Sequence, residues 1–370
     1  MKRKVLLLVV MAALSLPSVA QDPDFWIFLC LGQANMAGMA PYDSNDGEAS
    51  ERFVKLSETT TFHGDKVYTW DKAKTPICRA DAGLGMLESF GRVMLQRIPD
   101  NVRIGLVCAA IDNAPIDFFD KDAPQPLSSL CTDNNQLDQL QEYGGQPYEY
   151  LVRLARRAKN KGVIKGILFH QGETDGYSEE WEQKVVKVYH DLCADLGLEV
   201  LATPMFVGEV LRSEQGGTCA AVNDHIAHLP YVAHNVYVVS SEGCEGSSDH
   251  VSFSADGYRT LGTHYAERYL ERMEEYMPRQ SRQEEASSVT TVKVTQMSIN
   301  ADFDDDNDMW VEASEPLDRV DIRDSSGKLL TVFRFNGKSN LKVPIHDLLT
   351  QPIVLEFHAV SGNTRTIRFE

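Results

Sequence analysis

Five apolar runs along the chain predict buried β-strands. They are almost continuously hydrophobic, as parallel strands covered on both faces tend to be. The runs are FWIFLCL (25–31), VRIGLVCAA (102–110), VIKGILFHQ (163–171), VLATPMFVGE (200–209) and NVYVVSS (235–241). Stretches with helical periodicity fall between or after them, at 87–98, 147–162, 179–197 and 256–277. This alternation predicts a three-layer α/β/α sandwich around a five-stranded parallel sheet.

Two long polar stretches, 39–82 and 111–145, are expected to be loops that flank a site. In open parallel sheets, ligands bind at the carboxyl ends of the strands. The segments GQANMAG (32–38) and HQGETD (170–175) each follow or end a predicted strand. We therefore expect them to meet at this edge of the sheet.

The last part of the chain has a different pattern. Residues 278–291 carry charge, Gln and Ser with few apolar residues and are interpreted as a linker. Short alternating runs separated by turn residues then fill 292–370, which predicts an all-β sandwich. Its order loosely resembles the sorting domains of proteins exported by the type IX route, and a general accessory β-sandwich is an equal alternative.

The first twenty residues have the pattern of a secretory signal peptide. Lys2, Arg3 and Lys4 precede an apolar run that is too short to span a bilayer, and Ser18-Val19-Ala20 gives a small-residue cleavage site. We expect a mature chain from residue 21 that is secreted, periplasmic or on the cell surface, with no membrane segment after cleavage. Its first domain is then 21–277.

Composition narrows the classes of partner. The formal net charge of −18 argues against nucleic acid as a partner.

Seven cysteines without a CxxC pair indicate neither a zinc site nor a dense disulfide framework, although one or two disulfide bonds remain an open alternative. Cys30 and Cys108 are expected to be small buried hydrophobes. NADFDDDND (300–308) lacks the ligand spacing of a calcium loop and is interpreted as a solvated turn. No metal or cofactor is expected.

The turn after the first strand is the main candidate for chemistry. Gly32 permits a tight strand-to-helix turn, and N–H groups at the start of the new helix can face an oxyanion. The residue at the apex is Ala34, which has no atom that can attack an ester. Taken alone, this heptad is also compatible with an ordinary turn.

Further segments occur in a recognisable order: FLCLGQANMAG, PICRADAGLGMLESFGRVM, PIDFFDKD, GVIKGILFHQGETD, GEVLRSEQGGTCAAVN and SSDHVSFSADGYRTLGTHYAERY. Together they resemble the SGNH-type carbohydrate esterases of the acetylxylan esterase and sialate O-acetylesterase kind, over about residues 24 to 272. The resemblance implies a metal-free serine esterase fold that removes acetyl groups from sugars in polysaccharide degradation. The implied partner is an acetylated polysaccharide or oligosaccharide.

The resemblance also implies roles for individual positions. The nucleophile position is Ala34, the base position is Ser252 and the triad acid is Asp249, with the Glu173 carboxylate nearby. The N–H groups of Ala34 and Gly83 correspond to oxyanion donors. The remaining oxyanion or substrate-binding positions are Gln33, Asn35, Gln171 and Asn223.

The sequence departs from the family pattern at both reacting groups. Hydrolysis by this route needs a hydroxyl to attack and an imidazole to accept its proton, and Ala34 and Ser252 supply neither. His250, two residues before the base position, shares a face with Ser252 if the segment is extended; an exposed loop histidine is the alternative. Asp112 stands where relatives tend to have glycine and opposes an oxyanion if it points inward.

Three hypotheses follow. The leading one is a pseudoenzyme that keeps a sugar-binding cleft with little or no hydrolysis. The second is an active acetylesterase with a rearranged site that uses His250 with Asp249 or Glu173. The third is a glycan-binding surface protein that acts through its β-module.

Overall fold

The computed structural model describes residues 21–42, 50–61, 66–276, 297, 299–303, 308–325, 327–335, 338–343, 345, 348, 352–360 and 364–369. The expected signal peptide, 1–20, and the expected linker, 278–291, lie outside these residues. Both stay sequence-based predictions.

A seven-stranded sheet forms the centre of the first part of the chain. Its strands are β1 (Asp22–Gly32), β2 (Phe53–Thr60), β3 (Lys66–Lys72), β4 (Arg103–Ala110), β5 (Gly162–His170), β6 (Met205–Gly208) and β7 (Val236–Val239). The order is β3-β2-β4-β1-β5-β6-β7. Only β3 pairs antiparallel; the other neighbours are parallel. The five expected parallel strands are therefore confirmed, and two more extend the sheet.

Helices cover both faces of this sheet. The described residues form α1 (Ala34–Ala37), α2 (Met86–Arg97), α3 (Asn134–Glu142), α4 (Pro147–Lys159), α5 (Trp181–Leu196), α6 (Val222–Val232) and α7 (Ala255–Tyr276). Because successive side chains of a strand point to opposite faces, Ile27 and Leu29 join the core under α4, α5 and α6. Phe28 and Cys30 join the core under α2 and α7. The three-layer architecture is confirmed. No helix in the described ranges has the length and apolarity needed to cross a membrane.

The expectation of loops at 39–82 and 111–145 was wrong in part. The first stretch contains the β2–β3 hairpin, and the second contains α3. The outer strand β3 is mostly exposed, so it lacks the continuous apolar pattern of a central strand. Its Trp70 nevertheless packs edge-on against the Phe25 ring, 4.7 Å away. α3 begins at a side-chain cap, in which Asp133 Oδ1 accepts from the Gln136 N–H at 2.8 Å.

The end of the chain is an all-β module, as expected. Its strands are β8 (Ile299–Phe303), β9 (Met309–Ala313), β10 (Leu317–Asp324), β11 (Leu329–Arg334), β12 (Asn340–Val343), β13 (Ile353–Ala359) and β14 (Thr364–Phe369). They form two antiparallel sheets, β11-β10-β13-β14 and β12-β9-β8. Alternate residues of these sheets share one apolar core.

The β-module contacts the first part of the chain near the amino ends of β6 and β7. The Phe333 ring of β11 lies 5.6 Å from the His234 ring, and Lys328 Nζ lies 3.4 Å from Glu199 Oε2. Leu201 packs against the module's core. This contact is at the opposite end of the sheet from the carboxyl ends of β1 and β5.

Candidate active site

The turn between β1 and α1 is fixed by close backbone approach. A Cβ on Gly32 would lie 2.0 Å from the His170 carbonyl oxygen, and a Cβ on Gly38 would lie 2.6 Å from the Gly85 nitrogen. The Gln33 N–H donates to the His170 oxygen at 3.1 Å. Ala34 therefore stands at the carboxyl edge of the sheet, partly exposed. Within the described part of the chain, its N–H has no acceptor.

Asn35 joins three segments of the site. Its Nδ2 donates to Glu173 Oε1 at 2.5 Å and to the Val251 carbonyl oxygen at 3.1 Å. Its Oδ1 accepts from the Tyr258 hydroxyl at 2.6 Å. The structure thus brings the turn carrying Ala34, the segment after β5 and the segment before α7 to one place, as expected from the sequence.

Glu173 is buried at the centre of this cluster. Burial raises its pKa to about 7, although the hydrogen bond from Asn35 opposes the shift. Oε2 has no hydrogen-bond partner among the described residues. Near neutral pH, the carboxyl group is therefore partly protonated and has one oxygen free for another donor or acceptor.

His170 lies beside Glu173 as a neutral imidazole. Burial lowers its pKa to about 3, and its Nε2 lies 3.7 Å from Glu173 Oε1. Its Nδ1 is 3.2 Å from the Tyr265 hydroxyl, which itself donates to the Phe169 carbonyl oxygen. Since the Tyr265 proton is used there, Nδ1–H is the donor, and the unprotonated Nε2 faces Glu173.

Asp249 and Ser252, predicted from the sequence as the acid and base positions, lie in the segment before α7. Asp249 Oδ1 accepts from the N–H groups of Val251 and Ser252 at 2.9 and 2.8 Å. Burial opposes ionisation of Asp249, but these two bonds outweigh it and lower its pKa. The Ser252 hydroxyl interacts with Asp249 and with Tyr258. The carboxylate thus holds the backbone turn that carries Ser252.

His250 is directed towards a neighbouring loop. Its φ of 61° places it in the left-handed region, so the segment is not extended and the alternation argument for a shared face with Ser252 does not hold. Its Nδ1 is 3.2 Å from the Gly216 carbonyl oxygen. Its own carbonyl oxygen accepts from the Thr218 N–H at 2.9 Å. The exposed side chain matches the alternative of a loop histidine.

Gly83 and Asn223 have backbone partners. The Gly83 N–H donates to the Gly38 carbonyl oxygen at 2.7 Å, so in this conformation it is engaged and does not offer the expected oxyanion donor. The Asn223 side chain bonds both the N–H and the carbonyl oxygen of Val210, at 2.9 and 3.1 Å.

Two glutamines of the expected site are buried and bonded to other groups. Gln171 donates to the Ala114 carbonyl oxygen and to Asp175, and it accepts from the Trp181 indole N–H at 2.6 Å. Gln33 donates to the Thr174 hydroxyl at 3.3 Å and accepts from the Gly172 N–H at 3.4 Å. Both therefore hold the strand ends in place.

Asp112 forms part of a network that sequence reasoning missed. Arg79 is buried and donates to the Ala110 carbonyl oxygen at 2.6 Å and to Asp112 Oδ1 at 3.1 Å. Gln139 donates to Asp112 Oδ2 at 2.9 Å. The expectation that Asp112 opposes an oxyanion is not supported, because its charge is paired with Arg79. The lone cation in the apolar segment PICRADAG was the available signal.

Two clusters of carboxylate and histidine side chains among the described residues are close enough together to hold a metal ion. Neither cluster contains a predicted site residue. Asp120, Asp122 and Asp191 surround the Lys187 ammonium, which bonds each of them at 2.6–2.7 Å. Asp321, Glu356 and His358 form the other cluster, with Arg319 2.8 Å from Asp321. In both clusters, a cationic side chain is already bonded to at least one of the carboxylates.

Comparison with known proteins identifies the family and the fold of the first part of the chain. A family model for carbohydrate esterases, described as sialic acid-specific acetylesterase, matches residues 24–271. A crystal structure of a protein from Arabidopsis thaliana is similar in fold, with 21% identity and a TM-score of 0.52, over 68% of this chain and 99% of that one.

Two further structures show a weaker similarity of fold. The NanS structure has 14% identity and a TM-score of 0.49, over 69% of this chain and 100% of its own. A carbohydrate acetylesterase from Xanthomonas citri has 12% identity and a TM-score of 0.44, over 94% of this chain and 80% of its own.

Proposed function

The chain belongs to the sialic acid-specific acetylesterase family of carbohydrate esterases, and from this premise we propose that it is a glycan-binding member with little or no ester hydrolysis. The observation that carries the proposal is that alanine stands at position 34 and serine at position 252 of the same site. The other polar groups of this site are connected by hydrogen bonds. Asn35 is bonded to Glu173, and Asp249 is bonded to the backbone N–H of Ser252, while positions 34 and 252 supply neither a nucleophile nor a base.

The missing chemistry is the reason to expect little or no turnover. An acyl-enzyme intermediate needs an oxygen nucleophile at position 34 and a group that accepts its proton. A methyl group cannot attack, and a serine hydroxyl is not basic at neutral pH. In subtilisin, loss of either the serine or the histidine lowers turnover by about 10⁶-fold. His170 is no substitute base, because it is buried and its Nε2 faces Glu173.

The same site keeps groups suited to an ester or a sugar hydroxyl. The N–H of Ala34 is free to donate, and Glu173 Oε2 has no partner in the described residues. Without a nucleophile, a bound acetyl ester stays intact. The ligand class is therefore an acetylated polysaccharide or oligosaccharide, and the signal-like residues 1–20 support export of the mature chain to meet it.

A restoration experiment tests this function. We expect purified wild-type protein to leave acetylated xylan and a chromogenic acetate ester unhydrolysed. The double variant Ala34→Ser/Ser252→His is expected to gain about 10²- to 10⁴-fold over that background, the range that a positioned acid–base group supplies. Each single variant, and the double variant with Asp249→Asn added, serves as a control that lacks part of the triad.

Calorimetric titration with acetylated and deacetylated xylo-oligosaccharides tests the binding part separately. We expect the wild type to prefer the acetylated form. Wild-type turnover comparable to that of an active family member would overturn the proposal. If that turnover were abolished by His250→Ala, the rearranged site would replace it, although the contacts of His250 with Gly216 and Thr218 give that alternative little support.

An exposed tryptophan supports glycan binding by the β-module as a second candidate function. Trp310 on β9 is 52% exposed, while its strand neighbours Met309 and Val311 are buried. Glu312 is exposed on the same strand, and Lys342 of β12 is paired with Trp310. An aromatic face beside polar side chains suits a pyranose ring.

This second function predicts that Trp310→Ala weakens polysaccharide binding while Tyr231→Ala, which removes an exposed aromatic ring from α6, leaves it unchanged. Equal binding by both variants and the wild type would contradict it.

A further inference from the structure

Three segments that leave the carboxyl ends of neighbouring strands meet at one edge of the seven-stranded sheet. They follow β5, β6 and β7, which are adjacent in the strand order. The segment after β6 contains residues 216–219, which we call the central loop. Tyr177 contacts this loop from the segment after β5, and His250 contacts it from the segment before α7. Two exposed ring side chains are thereby held by one loop at the edge where open parallel sheets bind ligands.

Tyr177 contacts the central loop through its hydroxyl group and leaves much of its ring open to solvent. The hydroxyl donates to the Thr218 carbonyl oxygen at 3.5 Å, while 52% of the residue is exposed. The backbone before it is fixed, because the Gly176 N–H donates to the Gly172 carbonyl oxygen at 2.9 Å. A Cβ on Gly176 would lie 2.0 Å from Val222 Cγ2 of α6. The ring is therefore presented by backbone that is packed against a helix.

His250 is bonded to the same loop in two ways. Its Nδ1 lies 3.2 Å from the Gly216 carbonyl oxygen and is therefore the donor. Its own carbonyl oxygen accepts from the N–H and the hydroxyl of Thr218, at 2.9 and 3.1 Å. The side chain is exposed, and Nε2 has no hydrogen-bond partner among the described residues. Nε2 is thus available to a ligand hydroxyl, which can both donate and accept. We call Tyr177 and His250 the exposed pair.

The central loop also contacts the buried cluster of the candidate site. The Cys219 thiol donates to the Glu173 carbonyl oxygen at 3.6 Å, and the Glu173 side chain is bonded to Asn35. The carbonyl oxygen of Val251, in the segment before α7, also accepts from Asn35. The exposed pair therefore borders the candidate site.

We propose that Tyr177 and His250 form a subsite for one sugar unit of the bound glycan, in which the Tyr177 ring packs on the C–H face of the sugar and His250 Nε2 bonds one of its hydroxyl groups. Ligand sites combine aromatic surface with a few placed polar groups, and this pair supplies both. The inference rests on the proposed function and deepens it, because the exposed pair recognises the sugar ring rather than the acetyl group.

Calorimetric titration of the full mature chain with acetylated and deacetylated xylotetraose tests the subsite. We expect Tyr177→Ala and His250→Asn each to weaken binding by about 3- to 10-fold, the range that one aromatic contact or one hydrogen bond supplies. The factor should be the same for both forms of the ligand, since the acetyl group is not contacted. Asparagine is chosen because it tolerates the left-handed φ of 61° at position 250.

Three variants serve as controls. Tyr177→Phe removes the hydrogen bond to Thr218 but keeps the ring, so we expect wild-type affinity. Tyr231 and His228 form another tyrosine–histidine pair, on α6, with ring centroids 6.0 Å apart. Because no predicted site residue contacts that pair through a hydrogen bond or ring contact in the described structure, Tyr231→Ala and His228→Asn should also bind as the wild type does. Thermal unfolding of every variant checks that the fold is kept.

Unchanged affinity in Tyr177→Ala or in His250→Asn would overturn the proposal. A loss in Tyr177→Phe as large as that in Tyr177→Ala would also overturn it, because the loop contact rather than the ring would then be responsible. Equal affinity of the wild type for both forms of xylotetraose would contradict the acetyl preference of the proposed function, while the expected losses in the two variants would still support the subsite. No binding of either form by the wild type would overturn both.

Discussion

At the scale of single residues, the site contains two buried ionisable groups whose pKa values are shifted in opposite directions. Glu173 has a raised pKa and His170 a lowered one, both because of burial. His170 Nε2 and Glu173 Oε2 are both buried without a hydrogen-bond partner among the described residues, and Nε2 lies 3.7 Å from Glu173 Oε1, beyond hydrogen-bond distance. Burial thus favours the uncharged form of both groups.

Glu173 makes stability depend on pH. Its pKa is about 7 in the folded protein and about 4.5 in the unfolded chain, so between these values the folded state alone holds the proton. The free energy of unfolding therefore falls as pH rises through this window, by about 3 kcal/mol in total. We expect Glu173→Gln to remove this fall, measured by urea unfolding from pH 5 to pH 8.

Glu149→Gln, the same change at an exposed position of α4, is the control and should keep the wild-type slope. A Glu173→Gln protein with an unchanged slope would show that this carboxyl group ionises normally.

At the scale of elements, glycines set how closely neighbouring segments approach. Gly32 and Gly38 bracket the turn of Ala34, and Gly262 brings α7 against the start of α2. Because α2 follows Gly85 directly and Gly85 contacts Gly38, the packing of α2 on α7 helps to position the turn. These glycines thus help to shape the site, although none of them takes part in its chemistry.

Gly262→Ala tests this packing. Alanine has the better helix propensity by about 1 kcal/mol, but its Cβ would lie 2.1 Å from the Met86 carbonyl oxygen. We expect this clash to outweigh the gain in helix propensity and to lower the free energy of unfolding by about 1–3 kcal/mol, measured by urea unfolding. Thr263→Ala, one residue along the same helix, should change it by less than about 0.5 kcal/mol. A stabilised Gly262→Ala variant would contradict the close approach of the two helices.

At the scale of the whole molecule, the chain combines a carbohydrate esterase fold with a β-module. The contacts of Phe333, Lys328 and Leu201 are near the amino ends of β6 and β7. The candidate site is at the carboxyl ends of β1 and β5. A glycan bound by Trp310 and one bound near Ala34 would therefore occupy separate surfaces.

The proposed linker gives a prediction at this scale. Arg279 and Arg282 are trypsin sites within 278–291, a segment whose composition is typical of an accessible linker. We expect limited trypsin digestion of the native protein to cut there first and to release two resistant fragments, identified by mass spectrometry. The Arg279→Gln/Arg282→Gln variant should be cut more slowly. A first cut inside the seven-stranded sheet or inside the β-module would contradict the domain boundary.

The fold of the central sheet could be predicted because buried parallel strands are continuously apolar. β1, β4, β5, β6 and β7 followed from this pattern. The β2–β3 hairpin did not, because an outer hairpin with solvent on much of its surface has mixed polarity. α3 was also missed, as its pattern is largely polar and its start depends on the Asp133 cap.

The sequence by itself determined that position 34 lacks a nucleophile and position 252 lacks a base, since no fold can add an oxygen to alanine or basicity to serine. The tertiary structure decided the rest of the site. It placed Asn35 against Glu173, 138 residues away, paired Asp112 with Arg79, engaged the Gly83 N–H and turned His250 away. Such contacts join residues far apart in sequence, and burial sets their charge, so neither can be inferred from local patterns.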